Sequence, residues 1–225
     1  MHCIRWEDSI GGICKKGYFM LYSYKMTNDC GFAPNPFYGV MTLATCKKLI
    51  RLNRNPADNP NLFIAGFSSV ELNGDPVGHE RLVFIMKVSR RISFTAYFNS
   101  SPYQIKKLDI QNGDWMNQQG DNLYCSANNE CGFERIHSIN HCNNNSMIDD
   151  WEGKNVLISR EFFYFGSEPL IIENHFKINI PRGRHPYGLS TEDCKDLWQF
   201  LKDNKQSNVL LHPPTKWKAG ENFKL

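Results

Sequence analysis

The chain has 225 residues, 41% of them hydrophobic, which is long and apolar enough for a folded core and excludes wholesale disorder. Its 26 basic and 23 acidic residues leave a net charge of +3, too small an excess to mark a nucleic-acid binder by charge alone. No run of about 18 apolar residues occurs, so no membrane span is expected, and Met1 to Lys16 lack the apolar stretch of a secretory signal.

Residues 1–19 read as an N-terminal extension with weak patterning, and Met20 offers a second start. Residues 20–207 carry the patterned sequence and read as one domain, followed by an irregular tail over 208–225. Gly17 to Lys25 is aromatic and partly alternating, which predicts a first strand. Asp29 to Gly39 holds two prolines and two glycines in eleven residues, so it is neither helix nor central strand. Three aromatics, Phe32, Phe37 and Tyr38, predict that this loop packs on the core or lines a pocket. Thr42 to Arg51 can open a short helix capped by Thr42 or Thr45. Leu62 to Phe67 and Arg81 to Val88 are compact apolar runs that predict buried strands, and Ile92 to Phe98 suits a strand or a short helix. Asn99 to Asp150 is poor in apolar residues and reads as long loops. Asn155 to Ser159 is a strand, the block Phe162 to Phe165 continues the core, and Leu170 to Ile172 extends the sheet. A helix follows Ser190, with Cys194, Leu197, Trp198 and Leu201 at helical spacing on its apolar face.

The eight cysteines (Cys3, Cys14, Cys30, Cys46, Cys125, Cys131, Cys142 and Cys194) are scattered, and the absence of an export signal predicts free thiols in a cytoplasmic protein. Each reads first as a small buried hydrophobe. Cys125, Cys131, His137, His141 and Cys142 offer thiolates and imidazoles, but their spacing matches no common zinc module, so no metal is expected. No phosphate-binding loop, dinucleotide fingerprint, nucleophile elbow or kinase signature occurs, and no cofactor is expected.

One pocket is the hypothesis that joins the remaining polar and aromatic residues. Phe32, Asn35, Phe37, Thr42, Thr45, Asn122, Tyr124 and Tyr164 supply stacking faces and edge-reading groups for a base. Asn35, held between two prolines, is a rigid platform for one amide. Lys47, Arg182 and Arg184 are the candidates for phosphate. Asp29, Asp121, His137 and His141 are the acid and base candidates if the chain is an enzyme.

The stretches Leu21-Tyr22-Ser23-Tyr24, Asp29-Cys30-Gly31-Phe32-Ala33-Pro34-Asn35-Pro36-Phe37, Thr42-Leu43-Ala44-Thr45-Cys46-Lys47, Gly120-Asp121-Asn122-Leu123-Tyr124, Asn155-Val156-Leu157-Ile158-Ser159 and Phe163-Tyr164-Phe165-Gly166 stand in this order. From about residue 20 to about residue 202 the chain resembles the second class of nucleotide-modification-associated domains. The resemblance implies action alongside DNA base modification, in modification and phage-conflict systems. Its partner would be a nucleotide, or DNA containing a modified base. The function expected is recognition of that base, or else an enzyme that installs, alters or removes the modification. The fold expected is α+β and β-rich. The order of elements resembles small barrels of the PUA and EVE type, so a barrel or a strongly curved sheet with flanking helices is predicted.

Overall fold

The computed structural model describes residues 18–216 except 110, 112–113, 142, 173, 177–179, 181–190 and 205–209. The chain opens with β1 (Met20–Lys25), β2 (Met41–Leu43), α1 (Lys48–Asn53), β3 (Leu62–Phe67), α2 (Val70–Asn73), β4 (Leu82–Lys87) and β5 (Arg90–Ser93). It continues with α3 (Phe94–Asn99), a 3-10 turn over Ser101–Lys106, α4 (Trp115–Gln118), β6 (Tyr124–Ser126), β7 (Phe133–Arg135) and α5 (Asn144–Glu152). It closes with β8 (Asn155–Ser159), β9 (Glu161–Tyr164) and α6 (Thr191–Asn204).

Two sheets form the body. The first has the order β1-β3-β4-β9, with β1 parallel to β3 and the other pairs antiparallel. The second has the order β2-β8-β5 and is antiparallel, and β6 and β7 make a separate hairpin. The fold is α+β as expected. Among the described residues no closed barrel forms: β1 and β9 end one sheet, β2 and β5 the other.

All six residues of β3 are buried, which explains their unbroken apolar run: both faces of this sheet are covered. One face carries Leu21, Phe63, Phe67, Ile85 and Phe163 and meets the apolar stripe of α6. There the Trp198 ring packs edge-on at 5.0 Å from Phe63 and 5.2 Å from Phe163. The alternate residues Tyr22, Ile64, Phe84 and Phe162 meet Met41, Leu43 and Leu157 of the second sheet. The outer face of that sheet, with Val156 and Ile158, is covered by Phe94, Tyr97, Tyr103, Trp115 and Tyr124. Each stripe follows from the two-residue period of a strand.

Three local expectations differ from the structure. Thr42 lies on β2, and α1 begins only at Lys48 after a left-handed Lys47, with no side-chain cap. Ile92 to Phe98 is both alternatives in turn, strand to Ser93 and helix from Phe94, where the Ser93 hydroxyl accepts from Ala96 N. The stretch after Asn99 is not long loop: its few aromatics, Tyr103, Trp115 and Tyr124, are enough to anchor short elements to the core. Residues 210–216 also dock, through Leu211 N donating to Tyr164 O at 3.0 Å and Lys216 N donating to Asp29 O at 2.8 Å.

Candidate functional site

The loop from Asp29 to Gly39 folds inward. Gly31 has φ +81, and a Cβ there would sit 2.5 Å from Phe37 Cζ, so only glycine fits this turn. Asn35 pairs with Thr42 through backbone hydrogen bonds of 2.8 and 2.9 Å. Its side-chain nitrogen donates to Gln119 O at 2.9 Å, and its Oδ1 accepts from Lys106 Nζ at 2.7 Å. Asp121 accepts from Thr42 Oγ1 at 2.6 Å and from the Tyr97 hydroxyl at 2.7 Å. Asn122 donates to Tyr97 O and Tyr103 O at 3.2 and 2.9 Å. The fold therefore does bring the Asn35 loop and the Asp121 turn together, yet Asn35, Thr42, Asp121 and Asn122 are all 0% exposed. Apart from Asn122 Oδ1, which has no hydrogen-bond partner among the described residues, their side-chain groups are used within the protein, which is how buried polar atoms are ordinarily satisfied.

Burial raises the Asp121 carboxyl, against the pull of Lys106, Thr42 and Tyr97. Burial also lowers the Lys106 amine to about 7, with Asp121 opposing. Nζ faces three oxygens, Asn35 O, Asn35 Oδ1 and Val40 O, which match the three N–H donors of an ammonium. Asp29 is a second buried carboxylate, accepting from the Tyr164 hydroxyl at 2.5 Å and from Thr215 N and Oγ1 at 3.1 and 3.2 Å. Burial raises it and these donors lower it. Phe37 and Tyr164 are buried core residues. The Thr45 hydroxyl is buried without a hydrogen-bond partner among the described residues.

A cavity of about 220 Å³ opens beside this network, and Phe32, Lys47 and His141 border it together with Tyr24, Cys30 and Cys46. His141 Nε2 lies 3.3 Å from Cys46 Sγ, and His141 Nδ1 lies 2.8 Å from Asp150 Oδ2. Asp150 is 1% exposed and also accepts from Cys46 N at 2.6 Å and from the Tyr124 hydroxyl at 3.1 Å. Asp150 foremost, and then Cys46, raises the His141 imidazole from 6.5 to about 10. The ring thus favours its cationic form at neutral pH, facing the sulfur. Phe32 packs edge-on against it, with ring centroids 5.3 Å apart.

The backbone around the sulfur is held in an uncommon shape. Cys46, Lys47 and His141 have φ of 56, 41 and 51, the left-handed region that side chains with a Cβ rarely adopt. Arg51, 0% exposed, fixes the turn: Nε donates to Cys46 O at 2.6 Å and Nη2 to Asp150 O at 2.7 Å. The turn that bears Cys46 and the end of α5 are therefore tied to one guanidinium.

Cys46, His141 and Asp150 are also a group that could hold a metal ion, with ligand atoms all within 4.8 Å of one another. One ring nitrogen of His141 faces the thiol and the other faces the carboxylate. An ion would take one of these nitrogens, whereas a proton relay uses both. Of the cysteine and histidine set read from the sequence, only His141 reaches this centre. His137 is exposed, Cys125 lies on β6, Cys131 is exposed, and Cys142 falls outside the described residues, as do Arg182 and Arg184. The described cysteines Cys30, Cys46, Cys125, Cys131 and Cys194 are free. Cys46 and Asp150 were not singled out from the sequence, because nothing in their spacing ties residue 46 to residue 150.

The described residues contain no helix long and apolar enough to cross a membrane. No curated protein and no solved structure matches the chain. The nucleotide modification associated domain 2 family matches residues 19–221, nearly the whole chain. The motifs read in order along the sequence and the extent of this match agree, and the chain belongs to the nucleotide modification associated domain 2 family.

Proposed function

We propose that this protein is a cysteine-dependent enzyme of nucleotide modification, transferring or removing an acyl group through Cys46. The observation that carries the reading is the Cys46–His141–Asp150 relay at the wall of a cavity. A protein that only recognised a base would need edge-reading groups and aromatic faces, but not a thiol and a buried carboxylate each in contact with one imidazole. The reading needs no base-reading barrel. The buried network of Asn35, Thr42, Asp121 and Asn122 would serve it as scaffold, with Phe32, Lys47 and His141 in contact with the ligand.

The chemistry is as follows. The thiolate is the nucleophilic form of a cysteine, and the cationic His141 supplies its counter-charge. Cys46 Sγ bonds to a carbonyl carbon, and the bond from that carbon to the leaving group breaks. The leaving group takes the proton of His141 Nε2, and a thioester remains on Cys46. Water or an acceptor nucleophile then attacks, giving its proton back to His141 as the carbon–sulfur bond breaks. Asp150 keeps Nδ1 protonated and the ring aimed at the sulfur. The cavity is smaller than the roughly 300–1,000 Å³ of drug-sized sites, so it suits one small group with the rest of the substrate outside.

Alkylation with iodoacetamide, read residue by residue by mass spectrometry, tests the nucleophile. Cys46 is expected to react faster than exposed Cys131 at neutral pH, and His141→Gln is expected to remove the advantage. Equal reactivity of the two thiols in the unaltered protein would sink the proposal. The substrate side is tested by incubating the protein with acyl-modified nucleosides and nucleotides and looking for a thioester on Cys46.

A further inference from the structure

The cavity is rich in donors and poor in acceptors of charge. Among the described residues no aspartate or glutamate borders it, while two lysines, Lys25 and Lys47, do. Lys25 already has a carboxylate partner in the buried Glu80. Lys47 has none among the described residues, and its amine sits over the face of Tyr24, 3.9 Å from the ring centroid. An aromatic face attracts a cation but leaves its charge largely uncompensated. The Tyr24 hydroxyl itself is buried and has no hydrogen-bond partner among the described residues. The Lys47 amine is thus a donor in this small cavity that awaits an acceptor.

Position adds to this. Lys47 follows Cys46 directly, and both have left-handed backbone. That turn starts α1 and carries the amine back across β1, over Tyr24, rather than out along the helix with Lys48. Lys48 instead meets Asp149 and Glu152 at the surface. Burial lowers the Lys47 amine, the cost of a cation without a partner, and a bound anion would relieve it.

We infer that Lys47 is the specificity-determining residue of this site, and that the substrate of Cys46 carries an oxyanion, a phosphate or a carboxylate, beside its reacting carbonyl. This rests on Cys46 being the nucleophile. The oxyanion pairs with Lys47 Nζ. Neutral acyl compounds of the same size lack that pairing and react more slowly.

Two alkylating reagents of nearly equal size, anionic iodoacetate and neutral iodoacetamide, test the charge preference. The rate ratio of iodoacetate to iodoacetamide is expected to be about tenfold higher at Cys46 than at Cys131, the effect of one close charge partly shielded by protein. Lys47→Gln is expected to lower that ratio at Cys46 several-fold, and Lys47→Arg to keep it. Melting curves of both variants establish that they fold. A ratio unchanged by Lys47→Gln overturns the inference, because the preference would then come from His141 alone. Loss of the ratio in Lys47→Arg as well as in Lys47→Gln also overturns it. If instead Cys46 reacts no faster than Cys131 with neutral iodoacetamide, it is the nucleophile that fails, a separate readout. Protection of Cys46 by inorganic phosphate assigns a phosphate oxyanion and protection by acetate a carboxylate. Protection by neither overturns the inference.

Discussion

Replacing Gly153 with alanine adds one methyl group at the point where the site is braced. A Cβ at residue 153 would lie 2.4 Å from Arg51 Cζ and 2.5 Å from each terminal nitrogen of its guanidinium. The backbone there is right-handed, with φ −67 and ψ −13, so alanine meets no conformational strain and the effect is steric alone. Carbon atoms pack best at about 3.5–4.0 Å, so the guanidinium must move by about 1 Å or the end of α5 must. Arg51 is 0% exposed, so the displaced group cannot swing out into solvent without leaving the interior. Its bonds to Cys46 O, Asp150 O and Asn155 O, at 2.6, 2.7 and 3.1 Å, all pass through the displaced group. Overpacking costs about 1–3 kcal/mol, and weakening a buried charged hydrogen bond costs about 1.5–3 kcal/mol. Glycine-to-alanine entropy in the unfolded chain returns only about 0.4–1 kcal/mol. The expected net loss is about 3 kcal/mol, or about 6–12 °C in melting temperature for a chain of this size. Urea unfolding should show a lower midpoint at unchanged slope. Alkylation of Cys46 should slow as well, because Arg51 holds the Cys46 carbonyl. A variant as stable as the original or more so, with Cys46 equally reactive, would refute the bracing role of Arg51.

Asp150→Asn removes the charge that orients His141, and a loss of about 10³–10⁴ in Cys46-dependent turnover is expected, by analogy with the neutral-amide variant of the serine-protease triad; a loss under tenfold would show that the relay is not used. His141 holds its proton more tightly folded, to about 10, than at its ordinary 6.5, so its stabilisation is complete below pH 6.5 and is lost as pH rises toward 10. Lys106, lowered to about 7, acts with the opposite sign over nearly the same range, so the test is the difference between the unaltered protein and His141→Gln. The ring is 29% exposed and partly screened by solvent, so about 2 kcal/mol of that difference should disappear between pH 6 and pH 10 in urea titrations, and a pH-independent difference would contradict it. Asn35→Ala strips an acceptor from the buried Lys106 ammonium and a donor from Gln119 O; a loss of about 3 kcal/mol is expected, and an unchanged melting temperature would place Asn35 outside the stabilising network.

The elements legible in the sequence were those whose pattern is local. Leu62 to Phe67 and Arg81 to Val88 are apolar over the whole width of a strand, and a strand buried on both faces needs no partner to be recognised. The stripe of Cys194, Leu197, Trp198 and Leu201 repeats at the helical period, so α6 and its inward face follow from the chain alone. The family was legible for the same reason, since its motifs are short contiguous runs in a fixed order. The stretch from Asn99 to Asp150 was not, because three- and four-residue elements are too short to display a period.

The site divides in the same way. Residue chemistry alone put His141 among the acid and base candidates and joined the Asn35 loop to the Asp121 turn, and the two loops do meet. Only the tertiary structure decided that they meet in the interior, where Lys106, Tyr97 and Gln119 engage the side chains of Asn35 and Asp121. Composition marks a residue as polar but not which way its loop faces, and a buried network and an open pocket draw on the same amino acids. Cys46 could not be told from the other thiols in sequence, because what sets one thiol apart is what stands beside it. Its partners lie 95 and 104 residues further along the chain. They reach it because α5 packs against α1 and Arg51 binds the two together through backbone carbonyls, acceptors that every residue carries and no side-chain pattern records.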